Sequence, residues 1–401
     1  MSMFINRSFF LLWAGQLVSQ LGDKFYAIAL AWWVLENTNS PTAMGLFLVA
    51  SVLPELLFGL VAGRFIDRWN RKAIIVAADI FRGCAVLVVT LLFWTGGLEI
   101  WHIYLAAVVI SLSSAFFNPT VMAVIPQLVE RDVLPTANSL SQMITGVATV
   151  TGPVLGATFV SLIGFGPVFL VNGLSYMASA LLESFIVLSV AERAHGSKTN
   201  LLRDIKDGFK FISNSRPVFI ILLVIGVMHV FYGSLVVAMP FVANSLSGNG
   251  IRNLGYLETA MGLGMILGAV LIGRRKIENM HGITLFKVIL AAGLCFSLLG
   301  IAQLYEIEVS WPYIAILLFI GMAAAVASIY WRSLLQVHVP NELAGRVFSV
   351  STIIADVSLP VSFGVFGIVF NHFHLGATLL GCGLSLIISS AALILNYRRV
   401  S

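Results

Sequence analysis

Charge is scarce in this chain. Asp, Glu, Lys and Arg together make up 10% of its 401 residues, against 59% hydrophobic ones. So little charge cannot cover a water-soluble globule of this length, which assigns the chain to a bilayer. Cysteine is scarce as well. Cys84, Cys295 and Cys382 each lie in an apolar run and form no CxxC pair, so they read as small packing residues with no disulfide or metal role. The signatures of catalysis are missing. The sequence holds no HExxH, no GxSxG and no GxxxxGK[ST], and Gly173-Leu174-Ser175-Tyr176-Met177 lacks the second glycine of a nucleophile elbow. An enzyme is not expected, nor is ATP-driven pumping, a metal or an organic cofactor.

Long apolar runs are plentiful. Stretches of about 20 apolar residues, enough to span hydrocarbon, can be laid down twelve times. They cover residues 9–35, 43–65, 73–94, 101–124, 137–163, 167–190, 217–245, 254–273, 283–301, 311–331, 347–370 and 376–397. The first run could be mistaken for a cleavable signal ending at Ala27-x-Ala29, but Asp23 and Lys24 interrupt it and an uncleaved helix is expected. A net charge of +5 would suit nucleic acid or an anionic substrate. The distribution argues otherwise. Of 23 Lys and Arg, Arg252 falls in an outer connection, Lys24, Arg82 and Lys287 fall within runs, and the rest lie in alternate connections. That bias sets both termini in the cytosol and leaves the bilayer, not nucleic acid, as the chain's partner.

The expected architecture is all-α: an N-terminal six-helix bundle (1–190), a cytosolic linker (191–216) and a C-terminal six-helix bundle (217–401). Within the linker, Leu201, Leu202, Ile205, Phe209 and Ile212 fall near helical spacing opposite Arg203, Asp204, Lys206, Asp207 and Lys210, an amphipathic pattern. Val129-Glu130-Arg131-Asp132-Val133, leading to Ser139, is echoed 210 positions later by Val339-Pro340-Asn341-Glu342-Leu343, leading to Ser349. Two related halves would produce such an echo.

Ionisable residues inside the runs are the main functional candidates, because each is costly in lipid unless paired or facing water. Asp23 lies deep in the first run, Glu55 near the middle of the second and Asp356 well inside the eleventh. Desolvation favours the neutral form of a carboxylic acid, and an approaching cation or water favours its ionisation, as coupling of proton entry to substrate exit requires. The ordinary alternative for Asp23 is a local salt bridge with Lys24 or Arg82. Glu55 follows Pro54, whose missing N–H loosens the helix there. Asp79 and Arg82 read as a pair resting on the charged loop, with a transport role for Arg82 as the alternative. His229 could titrate near neutral pH, although a lone helical His is more often a hydrogen-bonded packing residue. Glu183 and Glu258 read as structural.

Between the second and third runs, Gly63-x-x-x-Asp67-Arg68-x-x-Arg71-Lys72 forms a charged turn that must lie outside the hydrocarbon. It resembles the loop between helices 2 and 3 of the major facilitator superfamily, with Asn70 where that family prefers Gly. Asn tolerates positive φ, which the turn is expected to need. In the fifth run, Gly152-Pro153-x-x-Gly156, flanked by Ala148 and Ala157, resembles the superfamily's antiporter signature with two glycines replaced by alanine. Leu12-Trp13-Ala14-Gly15-Gln16-Leu17-Val18-Ser19 with Gly22-Asp23, Phe117-Asn118-Pro119, Ala137-Asn138-Ser139-Leu140, Asn172-Gly173-Leu174-Ser175-Tyr176 and Gly345-Arg346-Val347-Phe348-Ser349 together resemble the macrolide-efflux and siderophore-exporter branch of the drug:proton antiporters.

That resemblance implies a rocker-switch exporter in a bacterial inner membrane, moving small amphipathic compounds in exchange for protons, as a monomer. It assigns the switch to Gly63, Asp67, Arg68, Arg71 and Lys72. The arginine that many drug antiporters carry on the fourth helix is missing from Ile103 to Phe117, and Arg82 is the candidate to substitute for it. Export of one native metabolite, siderophore, peptide or lipid, and a non-transporting sensor or scaffold, are the rival readings.

Overall fold

The computed structural model of the chain describes residues 5–188, 201–273 and 282–400, which form thirteen helices and no strand. They are α1 (Arg7–Thr38), α2 (Pro41–Ile66), α3 (Arg71–Trp94), α4 (Ile100–Leu128), α5 (Leu134–Ile163), α6 (Phe165–Ser184), α7 (Leu201–Asn214), α8 (Arg216–Asn244), α9 (Gly250–Gly273), α10 (Gly282–Leu304), α11 (Ser310–His338), α12 (Asn341–His372) and α13 (Leu375–Val400). Among the described residues, eleven helices are long and apolar enough to cross a membrane. Twelve were expected. The one that falls out is α1, which has the length, at 32 residues, but carries Gln16, Gln20, Asp23 and Lys24 in its middle. With 14 residues, α7 is too short to span.

By contacts the chain divides into two compact units, Met1–Asn39 with Leu46–His195, and Ser40–Gly45 with Gly196–Ser401. In the first unit, α1 packs on α5 and α6, and α3 packs on α4 and α6. Small residues permit this. A side chain at Gly22 of α1 would run into Asn172 and Ser175 of α6, and one at Gly152 or Gly156 of α5 would run into Lys24 or Phe25 of α1. Thus α1 is held between two seams of close approach, with Ala148 and Ala157 at 0% and 1% exposure completing the second. The expected sixth run continued to residue 190, but α6 stops at Ser184. Beyond it Ile186 joins the core of Phe9, Leu12 and Val124, and the Val187 N–H donates to Ser8 Oγ at 3.2 Å. Burial and a side-chain partner there outweigh another helical turn.

In the second unit, α9 pairs with α11 and α10 with α13. Gly264 and Gly268 lie against Leu318 and Met322, where the missing side chains let the two helices approach closely. The expected amphipathic helix exists as α7 and packs on α12, where Gly208 meets the Arg346 carbonyl. Its apolar stripe is divided: Ile212 is buried, whereas Phe209 is 52% exposed. Residues 189–200 of the expected linker lie outside the described residues. The sequence echo has a backbone counterpart, since Val129 and Val339 both end a helix, α4 and α11, in extended conformation.

Asn70 departs from expectation. Its φ is −70° and ψ 112°, and its side chain accepts from the Ala73 N–H at 3.3 Å. The turn therefore needs no left-handed residue at this position; Asn serves as the N-cap of α3. The cysteines are unpaired, with Cys382 buried, Cys295 intermediate and Cys84 exposed.

Candidate functional site

A polar seam runs through the first unit, and helical spacing creates it. On α6, Asn172, Ser175, Ser179 and Glu183 recur every three or four residues and are all buried. Gln16, Ser19 and Asp23 do the same on α1, where the first two are buried and Asp23 is half-buried. Asp79 and Arg82 of α3 lie three residues apart, at 0% and 4% exposure. Because α1 and α3 both pack on α6, the stripes meet.

At their meeting point the Tyr176 hydroxyl donates to Asp23 Oδ1. Arg82 extends Nη1 to Asp79 Oδ1 at 3.1 Å and Nη2 to Ser114 Oγ on α4 at 2.8 Å. Its guanidinium carbon stands 4.3 Å from the Phe117 ring centroid and 5.7 Å from that of Tyr176, geometry in which the ring faces offset part of the cation's lost hydration. Asp23 and Glu183 each lie within electrostatic reach of both Asp79 and Arg82. Several polar atoms have no partner here: Asp79 Oδ2, Arg82 Nε, Ser179 Oγ, Asn172 Nδ2 and both carboxylate oxygens of Glu183. Three acids thus face one guanidinium, and an unpaired buried charge is costly.

The Asp79–Arg82 pair forms, but it lies in the interior and not against the charged loop; the loop's acid, Asp67, pairs with Arg71 at 3.9 Å. Asp23 takes a tyrosine as its hydrogen-bond partner where a salt bridge to Lys24 or Arg82 was the alternative. Glu183, read as structural, belongs to the same cluster as Asp23 and Arg82. The signal for it was the α6 stripe, which four polar residues spell out.

The other candidates lie elsewhere. Glu55 accepts from Asn118 Nδ2 at 2.7 Å, and its backbone N–H donates to Ser111 Oγ at 3.0 Å, so it clasps α2 to α4. In the second unit, Asp356 on α12 lies within electrostatic reach of His229 on α8, whose Nδ1–H donates to the Ile225 carbonyl at 2.8 Å. In the charged turn, Arg71 Nη1 also donates to the Ala123 carbonyl at 3.3 Å, Arg68 is exposed, and open space surrounds Gly63. A cleft of about 750 Å³ on α3 and α4 is lined by Trp69, Ile74, Phe81, Val109 and Phe116 among others and includes none of the ionisable candidates. No group of three or more His, Cys, Asp or Glu among the described residues could hold a metal ion.

Within the first unit, several of the segments that carry the family resemblance meet at or beside this seam, whereas Gly345 to Ser349 lies on α12 of the second unit. Gly22-Asp23, Phe117-Asn118 and Asn172 to Tyr176 supply most of its contacts, and Trp13 Nε1 reaches the Leu140 carbonyl at 3.2 Å, joining two more. Comparison with known proteins agrees. A family model described as transmembrane secretion effector matches residues 1–400. Macrolide efflux protein A of Streptococcus pyogenes is 22% identical over 355 residues, 88% of this chain and 87% of that one. Multidrug efflux pump Tap of Mycobacterium bovis is 24% identical over 389 residues, covering 94% and 90%, and the putative bacilysin exporter BacE of Bacillus subtilis is 29% identical over 356, covering 87% and 85%. Among solved structures, an inward-facing bacterial homologue of the iron transporter ferroportin aligns with TM-score 0.73 at 15% identity, covering 99% of both chains. A mutant of the nucleoside transporter NupG aligns with TM-score 0.77 at 11% identity, covering 96% and 99%; both share the fold. The family and the structural neighbours are transporters, not enzymes, and the chain is a multi-pass membrane transporter that belongs to the transmembrane secretion effector family of the major facilitator superfamily.

Proposed function

We propose that the protein exports small amphipathic compounds by alternating access, driven by proton entry, with Asp23 as a proton carrier. The observation that carries this reading is Asp23 itself: an acid inside a helix of a membrane bundle, hydrogen-bonded to Tyr176 and within reach of the Arg82 charge. When Asp23 is ionised it attracts Arg82, and when a proton neutralises it that attraction ends. Protonation therefore alters the balance of forces on α3, where Arg82 also holds Asp79 and, through Ser114, α4. Gly152, Pro153 and Gly156 press α5 onto α1 beside Asp23, so movement of either helix is felt at the acid. Glu55 and the Asp356–His229 pair are further coupling candidates, and Gly63, Asp67, Arg68, Arg71 and Lys72 form the conformational switch. The proton is the coupling ion, no other cofactor takes part, and the protein works as a monomer in a bacterial inner membrane with both termini in the cytosol.

Names of relatives support the cargo class, since two are known as macrolide and multidrug efflux proteins. A second reading, export of a single native compound, draws on the relative named as a putative bacilysin exporter. The test is accumulation of erythromycin and ethidium in an efflux-deficient bacterium. Expression should lower accumulation, and either a protonophore or Asp23→Asn should restore it. Efflux indifferent to both would remove proton coupling through Asp23. Export of one native metabolite without dyes or macrolides would select the second reading.

A further inference from the structure

Asp23 is not the most enclosed acid in the first unit. Glu183, at the C-terminal end of α6, has 0% exposure, and neither of its carboxylate oxygens meets a hydrogen-bond donor. Asp79, also at 0% exposure, has one oxygen on Arg82 Nη1 and the other without a partner, while Arg82 Nε is unpartnered too. Glu183 lies within electrostatic reach of both Asp79 and Arg82.

These groups do not have equal claims to the cation. An ionised Asp79 is matched by a guanidinium at 3.1 Å; an ionised Glu183 would be a second buried anion with only the neutral Ser179 hydroxyl beside it, a costly state for a carboxylate. The remaining donor of the guanidinium is nevertheless free to serve a new acceptor, because Arg carries five N–H groups in a rigid fork. We propose that Glu183 is a proton-binding residue, holding a proton in the arrangement seen here and passing it to Asp79 as Arg82 exchanges one carboxylate for the other. In that step the O–H bond at Glu183 breaks, an O–H bond forms on Asp79, and Arg82 pairs with the newly charged Glu183. Net charge is unchanged, so the exchange brings no additional charge into the bilayer.

The groups that face this triad are Asp23 from α1, with Tyr26 beyond it, Ser114 and Phe117 from α4, and Tyr176 and Ser179 from α6. Arg82 is the cation they share. An exchange at Glu183 is thus transmitted to Asp23 through the position of one guanidinium, which deepens the proton-coupled reading above and rests on it for its part in transport.

The experiment is pH-difference infrared spectroscopy on the purified full-length protein in lipid nanodiscs. Wild type should show a carbonyl-stretch band of a protonated carboxylic acid that persists at neutral pH, and isotope labelling of glutamate at the carboxyl carbon should move it. Glu183→Gln should lose that band, while Asp67→Asn should keep it. If the glutamine variant fails to fold, the labelled wild type alone decides: absence of a labelled protonated band at neutral pH overturns the proposal. So does a band that survives in Glu183→Gln. The spectrum needs no substrate, so failure of proton-coupled efflux in cells would leave it in place, and loss of the band would leave the Asp23 reading standing.

Discussion

At the scale of single residues, the fully buried ionisable side chains Asp79, Arg82 and Glu183 all lie in the first unit and share partners. Arg82 serves Asp79, Ser114 and two aromatic faces at once, so no one of these contacts can be judged alone. Tyr176 is a simpler case. Its ring lies against Arg82 and its hydroxyl is the donor on Asp23. Tyr176→Phe keeps the ring and removes the donor, which for a hydrogen bond to a charged group should cost about 1.5–3 kcal/mol. The expected outcome is a lower thermal unfolding midpoint and slower proton-driven efflux, with expression unchanged; unaltered efflux would show that Asp23 works without this donor. Glu55 is engaged differently. Its carboxylate is bonded to Asn118 and its backbone to Ser111, so a proton arriving there would meet an acid that also clasps α2 to α4.

At the scale of elements, α1 is held closely by two neighbours, α5 and α6. Side chains at Gly22, Gly152 and Gly156 have no room, so the acid at position 23 is presented by a helix clamped on two sides. Gly152→Val should force α5 away from Lys24, and overpacking of this kind costs about 1–3 kcal/mol. Reduced efflux together with a lower unfolding midpoint is expected, while Gly63→Ala, at a glycine with open space around it, should leave the midpoint unchanged. Equal midpoints for Gly152→Val and wild type would mean that α1 and α5 separate easily. Asn70→Ala removes the N-cap of α3 and should cost about 1 kcal/mol, measured by the same unfolding assay. Most helix ends were legible in the sequence to within four residues, because a membrane helix satisfies its backbone internally and needs only an apolar run, although α11 runs on to His338 and α12 begins at Asn341, six or seven residues beyond the apolar runs. At the end of α6 a tertiary contact had intervened, with Ile186 and Val187 leaving the helix for the core and for Ser8.

At the scale of the whole molecule, the charged turn between α2 and α3 is where the proposed conformational switch can be tested. Asp67 is 75% exposed at its side chain and its pairing with Arg71 is long, at 3.9 Å, so it adds little to folding. Asp67→Asn should therefore leave membrane insertion and stability untouched yet impair efflux of erythromycin; normal efflux would count against a gating role for the turn. The sequence by itself determined that this is a helical membrane protein with charged loops, because lipid solvates neither charge nor open backbone and each run declares itself locally. It also displayed, as a stripe on α6, the polar residues that matter. Only the tertiary structure decided which of them meet: Tyr176 with Asp23, Arg82 with Ser114, Glu55 with Asn118, and Glu183 with the pair on α3. In a bilayer nearly every helix face is apolar, so the rotation and neighbours of a helix are chosen by a few small residues that allow close approach, and the consequence of that choice appears only once the helices are packed.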